Sequence, residues 1–225
     1  MNNDVLRQAP LFRELDDEAA TALRNSMVET RLRRGEVLFH EGDDGDQLYI
    51  VTDGKVKLGR TSADGRENLL AILGPGQMFG ELSLFDPGPR SATVTAVTEA
   101  HFVSLSHDDL LQWLEGRPQV ARGLLSQLAA RLRKANDVVA DLVFSDVPGR
   151  VAKALLDLAD RFGRTTGEGV HVHHDLTQEE LAQLVGASRE TVNKALADFA
   201  SRGWLRLEPR SVTLLDVNRL RRRAR

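Results

Sequence analysis

The chain is predicted to fold in the α+β class, as a small β-roll, a long helix and a C-terminal helix-turn-helix with a β wing. Three observations carry this prediction. Short β-rich runs alternate with turn signals through the first hundred or so residues, an apolar seam runs from Ala121 to Leu142, and two capped helices meet at a glycine between Thr177 and Phe199. At 225 residues the chain is longer than one typical domain, which suits such a division.

Taken in order, a short helical opening (Leu6 to Met27) gives way to turn signals at Arg34-Gly35, Gly42 to Gly45, Asp53-Gly54, Asp64-Gly65 and Gly74-Pro75-Gly76. Between them lie Gln47 to Val51, Lys55 to Leu58 and Glu67 to Ile72, and a last pair follows, Ser91 to Val97 and His101 to Leu105. Short strands at roughly 8–12-residue spacing indicate an antiparallel sandwich or barrel. Residues 1–116 are therefore assigned to a small β-roll.

Residues 117–145 change character. Ala121, Leu125, Leu128, Leu132, Ala135, Val139 and Leu142 follow one another at alternating steps of four and three. On an otherwise polar helix, with Arg131, Arg133, Lys134 and Asp137 facing out, this heptad seam predicts a two-stranded coiled coil and a homodimer. Packing on its own domain alone is the alternative, but one-sided packing does not demand so regular a 3.5-residue step. Ser145 to Gly149 then breaks the helix as a hinge, because Pro148 cannot continue it and disfavours helical geometry in the residue before.

Residues 146–225 form the last part. Thr177 with Glu180 three positions on is a capping box, Leu181, Leu184 and Val185 give an apolar face, and Gly186 supplies the turn. Ser188 caps the next helix, whose buried face is Val192, Ala195, Leu196 and Phe199. Its other face exposes Arg189, Glu190, Asn193 and Lys194 in the first two turns, where the second helix of a helix-turn-helix meets base edges. Arg donates twice to guanine, Glu accepts from cytosine, and Lys serves guanine or phosphate. Thr177 and its neighbouring amides lie at a helix N-terminus, which favours a phosphate. For this face the alternative is a solvated array in which Glu190 and Lys194 pair with each other. Trp204 to Leu207 and Val212 to Leu215, around a turn at Glu208 to Ser211, predict the hairpin wing. Arg219 to Arg225 is a basic cluster, either a phosphate contact or a solubilising end.

Charge agrees with double-stranded DNA as partner. The net charge is -3, yet residues 146–225 hold 14 Lys and Arg against 11 Asp and Glu, while residues 1–145 hold 16 against 22. A basic end joined to an acidic domain suggests two tasks. Cys 0 excludes disulfides, thiolate zinc sites and a cysteine nucleophile. No run approaches the roughly 18 apolar residues of a membrane span, and Met1 to Asp4 lacks a signal-peptide pattern, so a cytoplasmic chain without a membrane partner is expected. His171 and His173 would share a strand face but lack a third ligand, so no metal site is expected. No Ser/His/Asp order, Walker loop or Rossmann fingerprint is found, so no catalytic residues are expected either.

The segment Phe79 to Phe85 and Arg90 to Thr93 sets a glycine, a carboxylate, an arginine and a hydroxyl within a short stretch. Taken alone, it also fits a structural Glu81–Arg90 ion pair. Together with the β-roll, the seam and the winged helix-turn-helix, Gly80-Glu81-Leu82, Arg90-Ser91-Ala92 and Gly186 to Val192 resemble the phosphate-binding cassette and DNA reader of the bacterial Crp/Fnr superfamily, in particular its cyclic-AMP receptors. The resemblance covers essentially the whole chain. It implies a cyclic-nucleotide-binding β-roll, a dimerisation helix and cAMP as allosteric ligand: Arg90 would pair with the cyclic phosphate, Ser91 and the Gly80 amide would donate to it, and Glu81 would accept from the ribose 2′-OH. Adenine would be met from the long helix, at Ala135-Asn136. There the chain departs from the pattern, since most such receptors carry a Thr at the position of Ala135. Asn136 remains as a base contact, and the missing hydrogen bond is worth about 0.5–1.5 kcal/mol. The resemblance also implies Arg189, Glu190 and Lys194 as base readers on a palindrome of TGTGA-like half-sites about 34 Å apart, and RNA polymerase as a partner. A ligand-independent or architectural DNA-binding dimer with a vestigial cassette is the alternative.

Overall fold

The computed structural model describes residues 3–13, 15–86 and 88–224. Met1 and Asn2, Glu14 in the expected helical opening, Pro87 in the cassette segment and Arg225 of the basic tail lie outside the described residues. The chain divides into two compact units, Met1–Arg60 with Leu70–Lys134, and Thr61–Leu69 with Ala135–Arg225.

The opening consists of α1 (Asn3–Leu6), α2 (Pro10–Arg13) and α3 (Asp17–Asn25), the last capped by Asp16, whose side chain accepts from the Ala19 amide at 2.8 Å. Strands β1 (Val28–Leu32), β2 (Val37–Phe39), β3 (Gln47–Asp53), β4 (Val56–Thr61), β5 (Glu67–Leu73) and β6 (Met78–Phe79) follow. Then come a single-turn α4 (Leu82–Phe85), β7 (Thr93–Ala96), β8 (Ala100–Ser106), α5 (His107–Leu114) and α6 (Pro118–Phe144). The strands form two antiparallel sheets, ordered β1-β8-β3-β6 and β2-β7-β4-β5. In β8, Phe102 joins the cluster between the sheets with Val51, Val56, Phe79 and Val94, while Val103 and Leu105 join the helices through Leu11, Phe12, Leu110 and Leu124. Successive side chains of a strand point to opposite faces, so a strand apolar at consecutive positions is one covered on both sides.

Along α6 two stripes run side by side. Val120 and Leu124 are buried against the roll, whereas Leu125, Leu132, Val139 and Leu142 of the expected seam are 52–66% exposed. These four positions are open, whereas Ala121 and Leu128 of the same seam are partly buried and Leu142 lies near Gly186. The hinge is shorter than expected. Asp146 caps α7 (Val147–Phe162), its side chain accepting from the Gly149 amide at 2.9 Å, and Pro148 falls in the first turn. A proline there sacrifices no helical hydrogen bond, so it starts a helix instead of merely ending one.

Strands β9 (Gly163–Thr166) and β10 (Gly169–His173) precede α8 (Gln178–Val185) and α9 (Arg189–Ser201), and β11 (Leu205–Glu208), β12 (Ser211–Leu214) and α10 (Val217–Arg223) close the chain. The wing is not a free hairpin but half of a four-stranded sheet, β11-β12-β10-β9. The basic tail is helical as far as Arg223, with Asp216 as the cap of that helix. Leu155 and Leu158 of α7, Leu181 and Val185 of α8, and Leu196 and Phe199 of α9 are all buried in this unit.

Candidate functional site

The first candidate site is built around Arg90, whose backbone is pinned twice: its amide donates to the Asp43 carbonyl and its carbonyl accepts from the Gly42 amide, both at 2.8 Å. Its guanidinium lies 4.3 Å from the centre of the Phe39 ring and 5.8 Å from that of Tyr49, and Nη1 donates to the Gly80 carbonyl at 3.0 Å. Gly80 sits at φ +81, where a Cβ would come within 2.9 Å of both Arg90 Nη1 and the Gln47 carbonyl. At Gly45 a Cβ would overlap the guanidinium itself, 2.2 Å from Nε. The two glycines therefore make the space that the arginine fills.

The electrostatics of this cluster are unbalanced. Burial pulls the Arg90 pKa below its ordinary value, against the opposing pull of Tyr49, Asp46, Glu81 and Asp43. Burial also raises the Tyr49 hydroxyl, which Arg90 partly offsets. Arg90 is 4% exposed and Glu81 1%, and among the described residues Arg90 Nε and Glu81 Oε2 have no hydrogen-bond partner. Buried polar atoms are normally satisfied, and an uncompensated buried charge is costly. The cluster thus offers one donor and one acceptor to a ligand that carries an anion and a hydroxyl.

Glu81 is not paired with Arg90, as the cassette residues alone allowed. Its other oxygen accepts from Arg131 of α6, which also donates to the Met78 carbonyl. Arg131 was expected to face solvent and instead turns inward. The signal for it was present one position before the seam: Val120, Leu124, Gln127 and Arg131 follow at steps of four, three and four, the inner stripe of the same helix. Leu82 and Ser91 are exposed at the rim, and Asn136 is exposed on α6 in the second unit. Five residues on from Arg131, Asn136 is turned roughly 140° around the helix. A cavity of about 250 Å³ near Gly45 is lined by Asp46, Ser83, Ser106, His107 and Asp108, an acidic lining unsuited to an anion.

The second candidate site is the helix-turn-helix. The capping box is complete: Thr177 Oγ1 accepts from the Glu180 amide at 3.1 Å and Glu180 Oε2 accepts from the Thr177 amide at 2.8 Å. Gly186 ends α8 in the left-handed conformation, φ 69, and Ser188 caps α9 by accepting from the Thr191 amide at 3.2 Å. Val192, Ala195, Leu196 and Phe199 are buried, which turns Arg189, Glu190 and Lys194 outward, all exposed. Glu190 and Lys194 hold each other at 2.6 Å, while Arg189 has no ion pair among the described residues. Asn193 is half-buried, with its Oδ1 covered and unpartnered.

Arg150, to which no sequence motif drew attention, braces this unit. Its guanidinium donates to the Val185 carbonyl at 3.2 Å and to the Ser145 carbonyl at 2.8 Å, joining the turn to the hinge. The histidines of the β10 end are engaged locally: His171 with Thr213 at 3.0 Å, His173 with Asp175 at 2.9 Å, and His174 Nδ1 accepting from the Leu176 amide at 3.1 Å. Among the described residues no group of three or more His, Asp or Glu side chains could hold a metal ion, and no helix is long and apolar enough to cross a membrane.

Comparison with known proteins assigns a family to each part of the chain. Residues 29–117 match the cyclic nucleotide-binding domain family, and residues 149–223 the Crp-like helix-turn-helix domain family. The CRP-like cAMP-activated global transcriptional regulator of Mycobacterium tuberculosis is 56% identical over 99% of this chain and 100% of its own length. Among solved structures, the Thermus thermophilus catabolite activator protein is 38% identical with a TM-score of 0.56, covering 96% of this chain and 98% of that one. The c-di-GMP responsive regulator CLP of Xanthomonas campestris reaches a TM-score of 0.76 at 26% identity, over 88% of this chain and 99% of that one. Both family matches, and a 56% identical regulator covered along its whole length, make this chain a DNA-binding transcription regulator of the Crp/Fnr family with a cyclic nucleotide-binding domain.

Proposed function

We propose that the chain is a cAMP-responsive regulator that binds palindromic operators with TGTGA-like half-sites as a homodimer in the cytoplasm and acts on RNA polymerase. The observation that carries the ligand reading is the pair of unpartnered buried atoms, Arg90 Nε and Glu81 Oε2. A cyclic phosphate satisfies the first and a ribose hydroxyl the second. Arg90 would hold the phosphate with the Gly80 amide and Ser91, Leu82 would close the rim, and Asn136 would meet the base. The bound nucleotide supplies no chemistry, only charge and hydrogen bonds. It biases the protein through Arg131, which already joins Glu81 to α6. The exposed Leu125, Leu132, Val139 and Leu142 support a dimer through 121–142. On the DNA side, Arg189, Glu190 and Lys194 would read bases, Asn193 would contact the groove, and Thr177 and Ser188 would meet phosphates.

A ligand-independent DNA-binding dimer is the second reading, favoured by the Glu81–Arg131 pair, which gives one cassette residue a structural role. The buried Arg90 without a carboxylate weighs against it. Operator affinity measured with and without cAMP and cGMP separates the two, because a ligand without preference between states shifts nothing. Binding tightened at least tenfold by cAMP, equivalent to about 1.4 kcal/mol, and enhanced further in Ala135→Thr, is expected. Equal affinities throughout would leave the second reading standing.

A further inference from the structure

The C-terminal helix α10 carries none of the residues assigned above to ligand binding or base reading, yet it is built into the second unit. It packs on α7, and its Leu220 is fully buried. Its last turn is pinned to the hinge: Arg223 forms an ion pair with Asp146 at 2.5 Å, a contact that holds the Asp146 carboxyl below its usual range together with the Gly149 amide. At Gly149 a Cβ would lie 3.3 Å from the Arg223 carbonyl. From the same end of α7, Arg150 reaches the Val185 and Gly186 carbonyls of the helix-turn-helix turn. One short chain of contacts therefore runs from the C-terminus of α10, through the start of α7, to the residues just before Ser188. In a helix-turn-helix the N-terminal residues of the second helix enter the major groove, so the elements bracing that turn would lie close to the flanking backbone of a bound duplex.

The charge on this end of the unit is unspent. Elsewhere in the unit several cations are held by carboxylates: Lys153 by Asp141, Arg202 by Asp198, and Arg206 by Glu168 and Glu208. Arg221 and Arg222 are exposed and form no ion pair among the described residues. The only hydrogen bond of the Arg222 guanidinium there is a long one, 3.4 Å, to the Asn218 carbonyl. With Arg223 committed to Asp146, the two preceding arginines are carried on an ordered helix and not on a loose tail.

We propose that α10 is a backbone clamp: Arg221 and Arg222 bind phosphates of the duplex beside the half-site read by α9. Such contacts position the protein without reading sequence, and each releases counterions. The proposal rests on DNA binding by this unit but not on which bases it reads.

The test is DNA affinity as a function of KCl, with cAMP present, for the full chain and for R221A/R222A. The probes are a duplex carrying TGTGA-type half-sites and a scrambled duplex of equal length. In the double variant the slope of log K against log [KCl] should shrink by about 0.9 for each phosphate that is no longer neutralised. Both duplexes should weaken by the same factor, and R221K/R222K should restore the slope because lysine still meets a phosphate as a point charge. Trimming the flanking base pairs should abolish the difference between variant and wild type. An unchanged slope overturns the clamp, and a change in the ratio of specific to scrambled affinity overturns its sequence-independence. A wild-type chain that fails to prefer the TGTGA duplex overturns the base-reading assignment instead, and leaves the slope comparison on either duplex intact.

Discussion

Arg189 and Lys194 show how two cations one turn or so apart differ in readiness. Lys194 is held by Glu190 at 2.6 Å, an exposed i,i+4 pair of the kind worth only a few tenths of a kcal/mol, so it opens at little cost when a base competes. Arg189 forms no ion pair among the described residues. Its fork can meet guanine O6 and N7 directly. Replacing it, Arg189→Ala, is expected to weaken operator binding by ~1–3 kcal/mol and to erase preference at a single guanine. A mobility-shift series over singly substituted operators measures this; uniform weakening over the series would make Arg189 a phosphate contact. Arg131 teaches the opposite lesson. As one charged residue on a charged helix it looked solvated, and only the packing of α6 against the roll brought it to Glu81.

At the scale of elements, local sequence decided most where side chains satisfy their own helix ends. The Thr177–Glu180 box, Gly186 and Ser188 were legible because each closes hydrogen bonds within three or four residues. Thr177→Ala should therefore destabilise the C-terminal unit by about 1 kcal/mol, read as a lower urea midpoint without a change in slope. An unaltered midpoint would mean that water replaces the cap without penalty. Among the elements that no sequence pattern announced, α7 and α10 begin or end at residues with two uses. Pro148 both stops α6 and starts α7, and the arginines that suggest a disordered tail also suit the last turn of a helix, where the dipole favours cations. Sequence alone does not choose between such roles. Burial of Val151, Leu155 and Leu220 does.

For the whole molecule, the seam on α6 is the feature on which the proposed dimer rests, its Leu125, Leu132, Val139 and Leu142 lying exposed. Leucines more than half exposed along one stripe are a poor arrangement for a lone chain, and Leu132→Asp should convert the expected dimer to a monomer in sedimentation equilibrium and reduce operator affinity more than tenfold. Unchanged mass would place the dimer contact elsewhere. By itself the sequence determined the β-roll, the seam, the capped helix-turn-helix and the outward face of α9, because each is written in a short-range period: two for strands, 3.5 for the seam, 3.6 with caps for the helices. Tertiary structure alone decided which buried charges remain unpaired. Glu81 and Arg90 stand ten positions or fewer apart in sequence, close enough to suggest an ion pair, but Glu81 turns to Arg131, fifty residues on, and Arg90 is left between aromatic rings. Desolvation and partnership are set by what the fold brings near, and no local pattern encodes that.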